Sequence, residues 1–439
     1  MRAGPRGLTS FELQCPSFLH GEILQAYYDG ETDDLLTGGL GRSGLAALTL
    51  QDLARFADPA RPTPVELRRS AIWNSHFGLI DRTHGGGYGR LFGPGVVRPG
   101  MVVGDGKVSG HEYMAYGAAF DGEPGDVVTM VVQIPDAFDV GNACLVAAPS
   151  SGSRGVYGAV APVGEWPLNR GFAVVYTDKG TGIGAHDLER NVVQLINGES
   201  ADADAVGNSA HFRARLTADE RVAYAGAWPH RFAFKHAHSE RNPERYWGED
   251  VLRAIRFAFY VLNQHFAGTS VTPVLTRGNT LVIASGISNG GAASLRAAEG
   301  DWQNLIDAVV VSEPAVQPPE DESFAIVQGS KTFTKHGRPL LDYMTGLNLF
   351  QACASLRPEL FDKVPGNLAD DPEQPGVSRN SASAARCEAL HALCLLKATT
   401  LQDQAEEAQR IINEDYGLLE EQNWLQPLHH FLYVPQPSV

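Results

Sequence analysis

Short apolar runs alternate with segments of helical period through the middle of the chain. The runs are rich in Val, Ile and Ala, which is typical of strands that are covered on both faces. They occupy residues 127–135, 143–148, 172–177, 280–284 and 306–312. A segment with apolar residues at helical spacing runs over 251–262. Because strands and helices alternate, the pattern predicts an α/β fold with a mostly parallel, doubly wound sheet.

The regions on either side of this core differ from it in character. Residues 1–125 are Gly-rich and are predicted to be irregular apart from a short helix at 64–73. Residues 126–319 hold the predicted α/β core. Residues 320–439 are predicted to be helical, as an insertion or a lid. The strand count predicts a sheet that is incomplete toward the carboxyl terminus.

Charge and composition exclude two classes of partner. A formal net charge of -16 repels nucleic acid and anionic membranes, so we predict neither as a partner. No apolar run is long enough to cross a bilayer, and the opening residues lack the apolar core of an export signal, which predicts a cytoplasmic protein. The 5 cysteines are scattered and odd in number, so most are expected to be reduced or simply buried.

One stretch carries the pattern of a catalytic nucleophile. Gly286, Ser288 and Gly290 form Gly-x-Ser-x-Gly, preceded by a β-branched run and followed by a small-residue helix. In a nucleophile elbow the serine stands on a sharp strand-to-helix turn, and the glycines avoid collisions with neighbouring elements. We therefore predict that Ser288 is the nucleophile of an α/β-hydrolase-like sheet. The alternative is a Gly-rich turn that only packs tightly.

Hydrolysis of an ester by a serine also needs N–H donors for the oxyanion. The backbone N–H of Asn289, the residue after the nucleophile, is predicted to be one of them. The second is predicted in the loop at 151–155, which follows a buried strand, with Gly152 and Ser153 as the candidates. The alternative for this loop is an ordinary turn. No metal and no organic cofactor are predicted, because this chemistry requires neither.

The base and the acid of a triad cannot be assigned from the sequence. In this fold they follow the serine, each after a later strand. The histidines that follow Ser288 do not come after a convincing strand: His336, His391, His429 and His430. His236 and His238 lie before the serine, which is the wrong order, and they lack a third partner for a metal. We predict that the acid and the histidine are absent from this chain.

Several motifs together resemble the D-(-)-3-hydroxybutyrate oligomer hydrolases. They are SGISNGGAASLRAAE at the elbow, SGSRGVYGA, GEWPLNRGFAVVYTDKG, KHAHSERNPERYWGED, YDGETDDLLTGGLG and GGGYGRLFGP. The resemblance implies a serine esterase that cleaves short 3-hydroxybutyrate oligomers into monomers, downstream of polyhydroxybutyrate depolymerases. It covers most of residues 26–314. A more distant similarity joins the SNGG region to tannase and feruloyl esterase type hydrolases.

The resemblance also sharpens the alternatives. Members of this family are much longer, and their later segment carries the acid and the histidine, so the resemblance implies a chain truncated at its carboxyl terminus. Many members are exported, which opposes the cytoplasmic prediction. The alternatives to an oligomer hydrolase are a truncated or non-catalytic relative and a tannase-like or feruloyl-esterase-like hydrolase of carboxylic esters.

Overall fold

The computed structural model divides the chain into two compact units, Met1–Val316 and Gln317–Val439. The structure describes residues 12–47, 57–79, 85–118, 127–152, 154–180, 184–235, 243–267, 272–317, 319, 321, 323–334, 336–361 and 379–425.

The strands and helices are numbered along the chain. The strands are β1 (Leu19–Tyr28), β2 (Val96–Arg98), β3 (Met101–Val102), β4 (Gly110–Ala118), β5 (Val127–Pro135), β6 (Cys144–Pro149), β7 (Ala173–Thr177), β8 (Ala185–Asp187), β9 (Val192–Gln194), β10 (Ser200–Asp202), β11 (Phe232–Phe234), β12 (Leu281–Ile287), β13 (Ala308–Ser312), β14 (Ile326–Gln328) and β15 (Lys331–Phe333). The helices are α1 (Gly41–Ala47), α2 (Pro64–Leu79), α3 (Glu165–Leu168), α4 (Ala203–Val206), α5 (Ala218–Ala227), α6 (Trp247–Ala267), α7 (Ser288–Gly300), α8 (Leu340–Ala354), α9 (Pro358–Phe361), α10 (Arg379–Ala392) and α11 (Leu401–Glu414).

The main sheet of the first unit has seven strands in the order β1-β4-β5-β7-β6-β12-β13. The strands β7, β6, β12 and β13 run parallel to one another. The pairs β1·β4, β4·β5 and β5·β7 are antiparallel. The sheet is therefore mixed, and the prediction of a mostly parallel sheet is wrong for this half. The connection between β4 and β5 accounts for the antiparallel β4·β5 pair, because a parallel crossover needs a dozen or more residues and this connection is shorter.

Two strands of the sheet lie in the region that was expected to be irregular. β1 and β4 pair from Leu19↔Gly117 to Tyr28↔Gly110 and form one side of the sheet. β4 escapes a search for apolar runs because it carries a carboxylate, Glu112, within its buried stretch. The structure thus places part of residues 1–125 in the same sheet as the α/β core.

A saturated ion pair makes the buried position of Glu112 tolerable. Arg68 on α2 donates to both carboxylate oxygens, at 3.0 and 3.1 Å. Tyr157 and Gln133 donate to the same carboxylate at 2.7 and 2.8 Å. Burial raises the pKa of Glu112, but the Arg68 guanidinium and these hydrogen bonds outweigh it and hold the pKa below its ordinary value. The charges of Arg68 and Glu112 therefore have the hydrogen-bond partners that a buried ion pair requires.

Alternate residues of the central strands pack into two separate hydrophobic cores, one on each face of the sheet. Leu145 and Ala147 of β6 belong to the core that α6 and α7 cover. Val146 and Ala148 belong to the core on the opposite face, which α2 and the segment after β6 cover. Burial on both faces explains the continuous apolar runs of the sequence. Among the described residues, no helix combines the length and the apolar character that crossing a bilayer requires.

The second unit contains the hairpin β14·β15 and a core formed by α8, α10 and α11. A disulfide joins Cys353 of α8 to Cys387 of α10 inside this core. The other three cysteines are free, in agreement with the expectation that most are reduced or simply buried, but the disulfide itself was not predicted. The two residues are separated by 34 positions, and the sequence offers no local signal that brings them together. Cys144 is buried in β6.

Removal of this disulfide is expected to destabilise the second unit. For a sequence separation of 34 residues, the lost entropy of the unfolded chain corresponds to about 3–4 kcal/mol. Hydrogen exchange of α8 and α10 amides, in the intact chain carrying Cys353→Ala and Cys387→Ala, measures this loss. Cys394→Ala, at an exposed free cysteine, is the control. Equal opening free energies in the double variant and the control would contradict the expectation.

Candidate active site

The predicted elbow is a sharp turn between β12 and α7. Ile287 is extended, with φ -116 and ψ 150, and the next residue, Ser288, has φ 55. A positive φ is uncommon for a residue with a side chain and is typical of strained functional positions. Ser288 is partly exposed. The helix begins without a side-chain cap, which leaves its first N–H groups available.

The glycines around Ser288 are required by close approach of backbone atoms. A Cβ on Gly286 would lie 2.5 Å from the carbonyl carbon of Gly290. A Cβ on Gly290 would lie 2.6 Å from the carbonyl oxygen of Pro149, the last residue of β6. Real Cβ atoms do not approach backbone atoms this closely. The crowding that the sequence predicts is present, and it sets the start of α7 directly against the end of β6.

The loop after β6 is fixed on two sides. The backbone N–H of Ser150 donates to the carbonyl of Thr177 in β7 at 2.9 Å. The hydroxyl of Ser151 donates to the carbonyl of Ile287, immediately before Ser288. Because β6 and β12 are parallel neighbours, their carboxyl ends meet at the same edge of the sheet. Gly152 in this loop is partly exposed with φ 61, whereas Ser153 lies outside the described residues.

Asn289 is the second residue of α7. N–H groups in the first turn of a helix have no partner within the helix, and the helix dipole favours negative charge there. The side-chain Oδ1 of Asn289 is buried and has no hydrogen-bond partner among the described residues. The start of α7 thus has N–H groups without a partner inside the helix, and the loop after β6 is bound to Ile287 beside Ser288.

No described side chain is hydrogen-bonded to the hydroxyl of Ser288. Two of the histidines that follow it lie in the second unit, where the ring nitrogen Nε2 of His336 is 2.7 Å from the carbonyl of Phe324 and Nδ1 of His391 is 3.2 Å from that of Leu396. The other four candidates lie outside the described residues: His236, His238, His429 and His430. The assignment of a base and an acid therefore stays open.

One described histidine of the first unit, His211, is bound on a different strand from the one that leads to Ser288. Its Nδ1 is 3.1 Å from the hydroxyl of Thr129, at the start of β5. The strand order places β5 three strands from β12, which is about 14 Å at the usual strand spacing. Burial lowers the pKa of His211 to about 4. Among the described residues, the hydrogen bond of the His211 ring goes to Thr129 and none joins it to Ser288.

A cavity of about 830 Å³ lies in the first unit apart from the elbow. Apolar side chains of β1, α2 and the segment after β6 line it, together with Arg68, Glu112 and Arg154. Ser288 is not among the lining residues. Since the carboxylate of Glu112 is already saturated by its partners, we place the candidate chemistry at the elbow and treat the Arg68–Glu112 pair as structural.

Comparison with known proteins decides the family. The family model described as 3HB-oligomer hydrolase matches residues 7–438. The chain belongs to this family. A D-(-)-3-hydroxybutyrate oligomer hydrolase of Polaromonas naphthalenivorans (strain CJ2) is 44% identical over 421 residues, covering 94% of this chain and 57% of the relative. One of Paracidovorax citrulli (strain AAC00-1) is 47% identical over 402 residues, covering 90% of this chain and 55% of the relative.

The chain therefore spans a little over half the length of these curated relatives. Among solved structures, an esterase from Aspergillus oryzae matches with a TM-score of 0.26 and 11% identity, covering 67% of this chain and 48% of that one. This likeness is too low to support any conclusion about the site.

Sequence reasoning missed one residue of this edge. Lys179 follows β7 and is completely buried, with its Nζ against Ser150 of the loop after β6. It stands in the motif GFAVVYTDKG, where a lysine beside glycine and aspartate has the appearance of a surface turn. A positive charge directly after a buried strand, at the edge where the elbow lies, is the signal that could have found it.

Gly290→Ala is expected to disturb the elbow, whereas Gly300→Ala on the same helix is not. The new Cβ at Gly290 meets the backbone of Pro149, and overpacking of this kind costs about 1–3 kcal/mol. At Gly300 nothing lies within 4 Å, so alanine fits and changes stability by less than about 1 kcal/mol. Urea unfolding of both variants measures the difference. Equal midpoints would show that the close approach at Gly290 is not real.

Proposed function

We propose that this chain carries the nucleophile of a serine esterase that hydrolyses 3-hydroxybutyrate oligomers. One observation carries the proposal: Ser288 stands at a left-handed turn at the start of α7, with the loop after β6 bound beside it. The family gives the substrate class, because the relatives are named D-(-)-3-hydroxybutyrate oligomer hydrolase.

We also propose that the sheet is of the α/β-hydrolase type. Two features support this. The serine follows a parallel strand in the interior of the sheet, β12, and the loop after the neighbouring strand β6 lies at the same edge. In that fold the oxyanion donors come from the residue after the nucleophile and from the loop after an earlier strand.

The reaction follows from this arrangement. The oxygen of Ser288 attacks the ester carbonyl, and the carbonyl oxygen becomes an anion in the tetrahedral intermediate. The backbone N–H groups of Asn289 and of the loop at Gly152 hold that anion. Its collapse breaks the ester C–O bond and leaves an acyl group on Ser288, and the departing alcohol end of the oligomer takes up the proton that the Ser288 hydroxyl lost. Water then attacks the acyl group and releases 3-hydroxybutyrate or a shorter oligomer.

A second candidate is a relative that binds the oligomers without cleaving them. The observation in its favour is that no described imidazole is hydrogen-bonded to the hydroxyl of Ser288, which leaves the serine without a base among those residues. A serine without a base is a weak nucleophile. The reactivity of Ser288 therefore separates the two candidates.

Ser288→Ala is expected to abolish covalent labelling by a fluorophosphonate, because the phosphorus is attacked by the activated serine. The matched control is Ser294→Ala, whose hydroxyl donates to the carbonyl of Gly290 within the same helix at 3.1 Å. Mass spectrometry of the labelled peptide identifies the site. Labelling in the control at the rate of the unaltered chain supports the proposal. No labelling of the unaltered chain would favour the binding candidate.

The substrate class is tested by comparing esters. The 3-hydroxybutyrate dimer is expected to be hydrolysed with release of monomer, whereas methyl gallate and methyl ferulate are expected to remain intact. The family relationship is the reason for this order of preference. Chromatography of the products measures each rate, with Ser288→Ala as the blank. Faster release of gallate or ferulate would reverse the assignment and favour a tannase-like or feruloyl-esterase-like hydrolase.

A further inference from the structure

Lys179 is a charged residue in a place where charges are rarely found. It follows β7 directly and has no exposed surface. Lysine is almost never fully buried unless it is paired, because removing an ammonium group from water is costly. Its backbone has φ 61, so the chain also adopts an unfavourable conformation to direct this side chain inward. A residue with both costs is expected to have a specific role.

The ammonium group is bound to the loop after β6. Its Nζ donates to the carbonyl oxygen of Ser150 and to the hydroxyl of Ser150, the latter at 3.0 Å. It also lies 5.1 Å from the centre of the Trp247 ring, close enough for a cation–π contact. These contacts fix the residue from which the loop departs.

The carbonyl that Lys179 binds determines the direction of the next N–H group. The peptide between Ser150 and Ser151 is trans and planar, so its N–H points away from the side on which its C=O lies. Among the described residues, no acceptor is bound to the N–H of Ser151. The hydroxyl of the same serine is bound to the carbonyl of Ile287, beside Ser288. The segment 150–152 is thus held between Lys179 and the elbow.

We propose that Lys179 is a positioning residue that orients the segment 150–152, so that the backbone N–H groups of Ser151 and Gly152 face the oxyanion formed at Ser288. This inference rests on the proposed function of Ser288. Lys179 itself does not touch the reacting atoms in this role. It acts through the carbonyl of Ser150, and its loss allows the peptide plane to rotate. A displacement of about 1 Å in such a donor can reduce the rate by about a hundredfold.

Charged groups from three neighbouring elements act on Lys179. They are Asp178 beside it on the chain, Asp250 on α6, and Glu244 in the turn Pro243–Tyr246. Burial lowers the pKa of Lys179 to about 7, and the three carboxylates act in the opposite direction. Below about pH 7 the ammonium form donates strongly to Ser150. Above it the neutral amine donates more weakly, so the orientation of the loop weakens as the pH rises.

The test compares Lys179→Met with Lys107→Met. Lys107 also donates from Nζ to a backbone carbonyl, that of Glu31, at 2.6 Å, but it lies at an exposed contact. At pH 6, Lys179→Met is expected to reduce the rate of fluorophosphonate labelling at Ser288 by tenfold or more, with Lys107→Met unchanged. The unaltered chain is expected to lose rate above about pH 7, and Lys179→Met is expected to lack that decrease. Hydrogen exchange at 150–152 is expected to be faster in Lys179→Met only.

The outcomes separate this inference from the proposed function. An unchanged labelling rate and unchanged exchange in Lys179→Met would overturn the role of Lys179. If the unaltered chain is not labelled, the proposed nucleophile fails, and faster exchange at 150–152 in Lys179→Met still supports the positioning. If Lys179→Met does not fold, Lys179→Gln keeps a neutral donor and is measured in the same way. A wild-type rate with the wild-type decrease above pH 7 in that variant would overturn the proposal.

Discussion

Two close backbone approaches shape the elbow, one between β12 and α7 and one between the end of β6 and the start of α7. With no Cβ on Gly290, the helix lies against the carbonyl of Pro149, and the absence of one on Gly286 lets the strand pass the same helix. The hydroxyl of Ser151 can then reach the carbonyl before Ser288. The positive φ of Ser288 is retained because these contacts hold the turn from several sides. The site therefore depends on a contact between backbones more than on any side chain.

The first unit buries positive charge in two different ways. Arg68 faces a carboxylate that accepts from several donors, so charge meets charge and every group is satisfied. Lys179 donates to a neutral carbonyl and a hydroxyl and lies near an aromatic ring, while three carboxylates act on its charge. The first arrangement connects α2 to β4 and supports the sheet. In the second, the Lys179 ammonium has a pKa of about 7, and it lies at the edge of the sheet where the elbow lies. The difference in partners separates a structural ion pair from a proposed positioning contact.

Local patterns predicted the parts of the structure that local sequence determines. The strands β5, β6, β7, β12 and β13, the helix α6 and the strand–turn–helix around Ser288 all follow from runs, periods and glycine spacing. The mixed strand direction of the sheet was not predictable in this way. The charged residue Glu112 interrupts the apolar run of β4, and Arg68, which pairs with this charge, is distant in sequence. The disulfide and the position of Lys179 were missed for the same reason. Each depends on a partner that only the folded chain brings near.

The cross-link between Cys353 and Cys387 has a consequence for how the second unit behaves when its backbone is cut. Residues 362–378 lie between the two cysteines, so a protease that cleaves anywhere in that interval leaves both products covalently attached. Under non-reducing electrophoresis such a nicked chain migrates as one species, and it separates into two bands only after a thiol is added.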